Sequence, residues 1–131
     1  MDRHIGVTYV VVTTAGDTKI LAYYTLVTRT IERDIILDSR LPNGPIGIVL
    51  LGRLAVDSRV QRSGLGKRML LRAMKQTLIA SMDVGIYALV VNAIDGAAKD
   101  WYLGLDLGFE QLLDDPHSLY IGMKTLKQLE F

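Results

Sequence analysis

Six consecutive residues, Gln61-Arg62-Ser63-Gly64-Leu65-Gly66, stand with Lys67 between an apolar run and a long helical pattern. Two glycines where a helix opens let the backbone approach a ligand closely and tolerate positive φ. The first-turn N–H groups of a helix have no intrahelical acceptor, and the helix dipole adds partial positive charge at that end. An anion such as a pyrophosphate is therefore favoured there. Arg62 and Lys67 add full charges at the same spot. The spacing matches neither G-x-G-x-x-G nor the P-loop. A glycine-rich turn without a ligand is the plain alternative.

The surrounding charge is lopsided although the net charge is only +1. Arg53, Arg59, Arg62, Lys67, Arg68, Arg72 and Lys75 are offset by Asp57 alone, whereas Asp95, Asp100, Asp106, Glu110, Asp114 and Asp115 face only Lys99. A basic block in a neutral protein points to a local anionic partner, a phosphate-bearing cofactor or RNA. A solvated helix face would look the same. The chain has no cysteine, which excludes disulfides, thiolate chemistry and Cys-based zinc sites, and His4 and His117 lack ligand-like spacing, so no metal is expected.

These residues need a scaffold, and the sequence is rich enough in apolar residues to build one. The chain has 131 residues, half of them hydrophobic and 22% charged, which fits a single domain over residues 1–131 with a proper core. Its longest apolar runs are strand-length, too short to cross a bilayer, and the N-terminus lacks a signal-peptide pattern. A soluble, cytoplasmic protein is expected.

Residues 8–13 (TYVVVT) and 19–29 (KILAYYTLVTR) read as a hairpin around Ala15-Gly16-Asp17. After the loop signal Leu41-Pro42-Asn43-Gly44-Pro45, residues 47–56 (GIVLLGRLAV) read as a central strand. Residues 65–82 carry the clearest helical pattern. Leu70, Ala73, Met74, Thr77, Leu78 and Ser81 face the sheet, and Lys67, Arg68, Arg72, Lys75 and Gln76 face away. Residues 87–92 (YALVVN) form another buried strand. Asp95 caps a short helix over 97–106 that ends at Leu107-Gly108. Residues 109–112 and 118–124 read as the last strands and 125–130 as a closing helical turn, giving an α/β sandwich with a mixed sheet.

In this order, Gln61-x-x-Gly64-x-Gly66, Asn92, Ala98-Lys99-Asp100-Trp101-Tyr102 and Gly108-Phe109 resemble the acetyl-CoA signature and the A-x-x-x-Y…G-F ending of the GNAT acetyltransferase superfamily. The resemblance covers roughly residues 7–126. Leu50-Leu51-Gly52-Arg53-Leu54-Ala55-Val56-Asp57, Tyr23-Tyr24-Thr25-Leu26, Pro45 and Met123-Lys124-Thr125-Leu126 are similar to the TacT/AtaT-type toxins. Those GNAT enzymes acetylate the α-amino group of aminoacyl-tRNA and are paired with ribbon-helix-helix antitoxins. The resemblance implies a GNAT-type mixed, mostly antiparallel, twisted sheet with flanking helices. Only six residues precede Val7, so the family's N-terminal strand and helices are expected to be missing.

For the site, the resemblance implies that Leu54, Ala55 and Val56 present backbone N–H groups to acetyl-CoA, with the N–H of Val56 at the thioester carbonyl. Gln61, Arg62, Ser63, Gly64, Leu65, Gly66 and Lys67 would hold the pyrophosphate, and Asn92 would face the pantetheine arm. Tyr102 would be the general acid for the leaving thiolate. Its helical neighbours Ala98, Trp101 and Leu105 make a core aromatic the competing reading. Arg53, Arg59 and Arg72 would contact tRNA phosphates.

No general base stands out, which suits an α-amine of pKa about 8 better than a lysine amine near ~10.4. The expected partners are acetyl-CoA, an aminoacyl-tRNA, a ribbon-helix-helix antitoxin and a second copy of the chain. A GNAT enzyme of a small amine or peptide, or a non-catalytic CoA- or antitoxin-binding remnant, are the rival functions.

Overall fold

The computed structural model describes residues 6–12, 20–32, 45–56, 64–81 and 85–129, with backbone alone at 6–12, 20, 21, 32 and 53. The turn at Ala15-Gly16-Asp17, the loop residues Leu41-Pro42-Asn43-Gly44, and Arg59, Gln61, Arg62 and Ser63 lie outside the described residues.

Six strands form one sheet in the order β1-β2-β3-β4-β6-β5. β1 (Gly6–Val12) and β2 (Ile20–Glu32) pair antiparallel, and β2 pairs antiparallel with β3 (Pro45–Val56). Parallel neighbours need a crossover, and helix α1 (Leu65–Ala80) supplies it between β3 and β4 (Ile86–Asn92). Helix α2 (Gly96–Gly104) follows, then β5 (Glu110–Gln111), β6 (Ser118–Gly122) and α3 (Met123–Gln128). The sheet is thus mixed and mostly antiparallel, as the resemblance implies.

α1 forms because Met69, Leu70, Ala73, Met74 and Thr77 recur at helical spacing and are all buried against the sheet. Lys67, Arg68, Arg72 and Lys75 are exposed on the other side. Two inward or outward assignments change. Gln76, read as outward, is half-buried and accepts a 2.6 Å hydrogen bond from the Tyr24 hydroxyl. Tyr24 is fully buried on β2 and its phenol needs a partner, and the docking of helix on sheet supplies Gln76. Ser81 caps the helix end, its hydroxyl donating to the Leu78 carbonyl.

The C-terminal third also departs from the sequence reading. β5 is two residues long rather than four, because Leu112 N–H turns to donate to the Ser118 carbonyl and closes the hairpin. The helix begins at Met123, not Thr125, with Met123 and Leu126 buried one turn apart. α2 starts where Asp95 accepts a 2.8 Å bond from Ala98 N–H, as its capping type requires, and ends at Gly104, two residues early. Asp106 then takes a left-handed φ of 55°.

β3 carries the feature that positions the site. Leu26 pairs with Leu51 and Thr25 with Arg53, so Gly52 is an extra residue, a β-bulge. A side chain on Gly52 would begin 2.9 Å from Thr25 Oγ1, which keeps the position small. The bulge reverses parity. Val49 and Leu51 face α1 before it, and Leu54 and Val56 face α1 after it. Ile46, Ile48 and Leu50 pack on the opposite face, with Ala88, Val90 and Tyr120.

Candidate cofactor cleft

The β3–β4 pairing runs only from Gly47↔Ile86 to Leu51↔Val91, although β3 continues to Val56. β4 ends one residue after Val91, at Asn92, so β3 runs on past it, and a cleft of about 630 Å³ lies at this end of β3. Its walls come from three elements: Leu54 and Val56 of β3, Gly64, Gly66 and Lys67 at the start of α1, and Asp95, Ala97, Ala98, Trp101 and Tyr102 of α2 and its cap. That volume is in the range of small-molecule and cofactor sites.

Gly64 holds a left-handed φ of 84° as the N-cap of α1, a conformation that costs other residues energy, and as glycine it offers no capping side chain. Its carbonyl accepts the first helical bond, from Arg68 N–H at 3.1 Å. No acidic residue occupies the first turn. The N–H groups of this turn therefore meet the cleft beside the exposed Lys67. A Cβ on Gly66 would lie 3.4 Å from Trp101 Cζ2 and 3.6 Å from Val56 Cγ2, so α1, α2 and β3 converge at this residue.

Tyr102 is 7% exposed, and burial pushes its phenol up to about 12. Its ring is held edge-to-face by Trp101 (centroids 4.9 Å) and by Phe109 (5.6 Å). It is both a core aromatic and a lining residue of the cleft.

The structure brings Leu54, Val56, Gly64, Gly66, Lys67 and Tyr102 to one cleft. Leu65 is half-buried and packs on the core beneath it. Ala55 follows Leu54 on the strand and so points to the other face of the sheet. Asn92 ends β4, exposed, with its Oδ1 2.7 Å from Ser118 Oγ, and is not one of the lining residues. Ser118 Oγ also lies 2.7 Å from Asp115 Oδ2, and that hydroxyl with the His117 N–H holds the Asp115 carboxyl below its usual range. Arg53 occupies the backbone position opposite Thr25, and Arg72 is exposed on α1.

Sequence reasoning missed Asp95, Ala97, Ala98 and Trp101 as cleft residues. Asp95 carried a capping signal and Trp101 a core signal, and neither says which side of α2 meets α1. Among the described residues, no group of three His, Asp or Glu side chains could hold a metal ion.

No family model matches the chain. The chain is 35% identical over 85 residues to a tRNA-acetylating toxin of Mycobacterium tuberculosis, covering 65% of this chain and 50% of that protein. It thus spans about half the length of the curated relative it matches. Among solved structures, the KacTA–DNA complex superposes with a TM-score of 0.78 at 36% identity, covering 97% of this chain and 74% of that one. AtaT complexed with acetyl-methionyl-tRNAfMet gives 0.76 at 32% identity, with 82% and 64% covered. A tyrosine-to-phenylalanine AtaT mutant toxin, bound to the C-terminus of the antitoxin AtaR and acetyl-CoA, gives 0.69 at 31% identity, again with 82% and 64% covered. With a third of its residues shared over nearly its whole length and the same fold, the chain belongs to the GNAT acetyltransferase superfamily, in the toxin branch that includes KacT and AtaT.

Proposed function

We propose that this chain is an acetyl-CoA-dependent N-acetyltransferase that acts on the α-amino group of aminoacyl-tRNA. The observation that carries the reading is the cleft at the end of β3 beyond β4, lined both by a glycine-opened helix N-terminus and by a buried tyrosine. Acetyl-CoA is long enough to reach from one to the other. Its pyrophosphate takes the start of α1, at Gly64, Leu65, Gly66 and Lys67, and Gln61, Arg62 and Ser63 complete that loop in this reading. Its thioester lies against the end of β3, where Leu54, Ala55 and Val56 present backbone to the cofactor and the Val56 N–H is the donor to the thioester carbonyl in this reading. Asn92 faces the pantetheine arm.

The amine nitrogen attacks the thioester carbonyl carbon, the C–S bond breaks, and the amine gives up a proton as the thiolate gains one. Tyr102 is the donor to sulfur, and the proton given up by the amine restores its phenol. Its raised pKa keeps the phenol protonated at every working pH. Full transfer from such a phenol to a thiolate of ordinary pKa about 8.5 is uphill. The phenol therefore acts as a hydrogen-bond donor that follows the sulfur as charge builds, and the proton passes late. The rate should rise with pH as the α-amine, of pKa about 8, loses its proton.

The acceptor is argued from the relatives, a tRNA-acetylating toxin and AtaT with acetyl-methionyl-tRNAfMet. Arg53, Arg59 and Arg72 are its phosphate contacts in this reading. An antitoxin partner, a homodimer and a cytoplasmic setting complete it; the AtaT–AtaR complex supports the antitoxin, and its ribbon-helix-helix type is part of the proposal. The described residues contain no helix long and apolar enough to cross a membrane.

The test is incubation with labelled acetyl-CoA and a pool of charged tRNAs, comparing the native chain with Tyr102→Phe. Acetylated aminoacyl-tRNA should form and drop by about 10²–10⁴-fold in the variant, with CoA binding retained. Measurable acetyl-CoA binding with no transfer would overturn the enzymatic reading.

A further inference from the structure

We propose that Trp101 is a positioning residue that packs against the bound cofactor at the start of α1 and holds the Tyr102 phenol at the reacting thioester. The inference rests on the cofactor reading above and adds to it a group that the cleft's geometry singles out.

Three observations converge on the indole. First, Trp101 is 39% exposed and lines the cleft, whereas Tyr102 and Phe109 beside it are 7% and 8% exposed. A large apolar ring left half in water at the mouth of a cleft is a surface that a ligand can cover. Second, its Cζ2 and Cη2 lie 3.4 and 3.8 Å from where a Gly66 Cβ would stand. Gly66 is not one of the glycines with positive φ, which among the described residues are Gly64 and Gly108. A Cβ there would stand in ordinary van der Waals contact with the indole, so whatever is seated at Gly66 adjoins Trp101. Third, Trp101 contacts Tyr102 edge-to-face at 4.9 Å and 72°. Successive residues on a helix do not normally face each other. Here the rings do meet, and the same indole adjoins Gly66. A cofactor seated at Gly66 presses on the indole, and the indole is one of the two walls that orient the phenol.

The chain contains one tryptophan, so its emission reports this site alone. CoA should be titrated into the full chain, with emission and calorimetry followed in parallel. Emission is expected to change saturably, with the same Kd as the heat. Trp101→Ala should lower kcat by about tenfold, the upper range for an aromatic pair contact, and Trp101→Phe should restore it to within about threefold. Gly66→Val offers a second route, displacing the indole while keeping it. It should shift the resting emission and lower kcat. CoA binding by calorimetry with emission unchanged would overturn the inference and leave the cofactor reading standing. So would a native kcat in Trp101→Ala. Absence of any CoA heat would bring down the cofactor reading and this inference with it.

Discussion

The two halves of β3 belong to one strand and do opposite work. From Gly47 to Leu51 the strand is paired on both edges, and Ile48, Val49 and Leu51 are at most 3% exposed. From Leu54 to Val56 it keeps β2 but has run past the end of β4, and its side chains are half-buried, with Leu54 and Val56 lining a cleft. Gly52 sits at the junction. A bulge bends its strand and increases the local twist, so one inserted residue both re-aims the following side chains and coincides with the end of the parallel ladder. The first half supplies stability and the second gives up some of it to make room.

That contrast predicts unequal costs for the same substitution. Leu51→Ala should destabilise the fold by about 2–5 kcal/mol in a denaturant titration, because a fully buried leucine leaves a cavity. Leu54→Ala should cost only about 1 kcal/mol and act instead on the Kd for CoA. Equal losses of stability would erase the distinction between the halves. Gly52→Ala tests the junction itself. Its methyl meets Thr25 Oγ1, and overpacking of this kind costs about 1–3 kcal/mol. CoA affinity should fall with it, and recovery in a Gly52→Ala/Thr25→Ala double variant would assign the cause to that contact.

Asp95→Ala should remove about 1 kcal/mol through the lost cap of α2. Asp95→Asn should retain stability and bind the polyanionic cofactor no more weakly, since it keeps the acceptor and removes a negative charge from the cleft. The smallest effect at neutral pH comes from Tyr102. Its folded pKa is raised to about 12 from an ordinary value of 10.0. The unfolded chain therefore ionises first as pH rises. The stabilisation is fully present below pH about 10 and is lost as pH climbs through about 12. A tyrosinate absorbance titration should show one late step that disappears in Tyr102→Phe.

Much of the site was legible in the sequence wherever the cause was local. Gly64 and Gly66 before a helical stripe, and Asp95 three residues before the N–H that it binds, are signals carried by neighbours in the chain. The fold class followed from strand and helix periods in the same way. What could not be read depended on partners far away. Gln76 looked like any polar residue on an outer face until Tyr24, 52 positions earlier, was placed beneath it. Trp101 looked like core because the helical period cannot tell which neighbour a face will meet. The short β5 followed from a hairpin closed between Leu112 and Ser118.

By itself the sequence determined that a glycine-opened helix follows a buried strand, with a tyrosine-bearing helix downstream. Those are outcomes of φ/ψ preference, capping and hydrophobic period, which act over a few residues. Only the tertiary structure decided that Leu54 and Val56, rather than Ala55, face α1, and that Trp101 stands beside Gly66. A strand's register is set by its partners, and one bulge reverses every side chain after it. The chemistry at the cleft depends on that register.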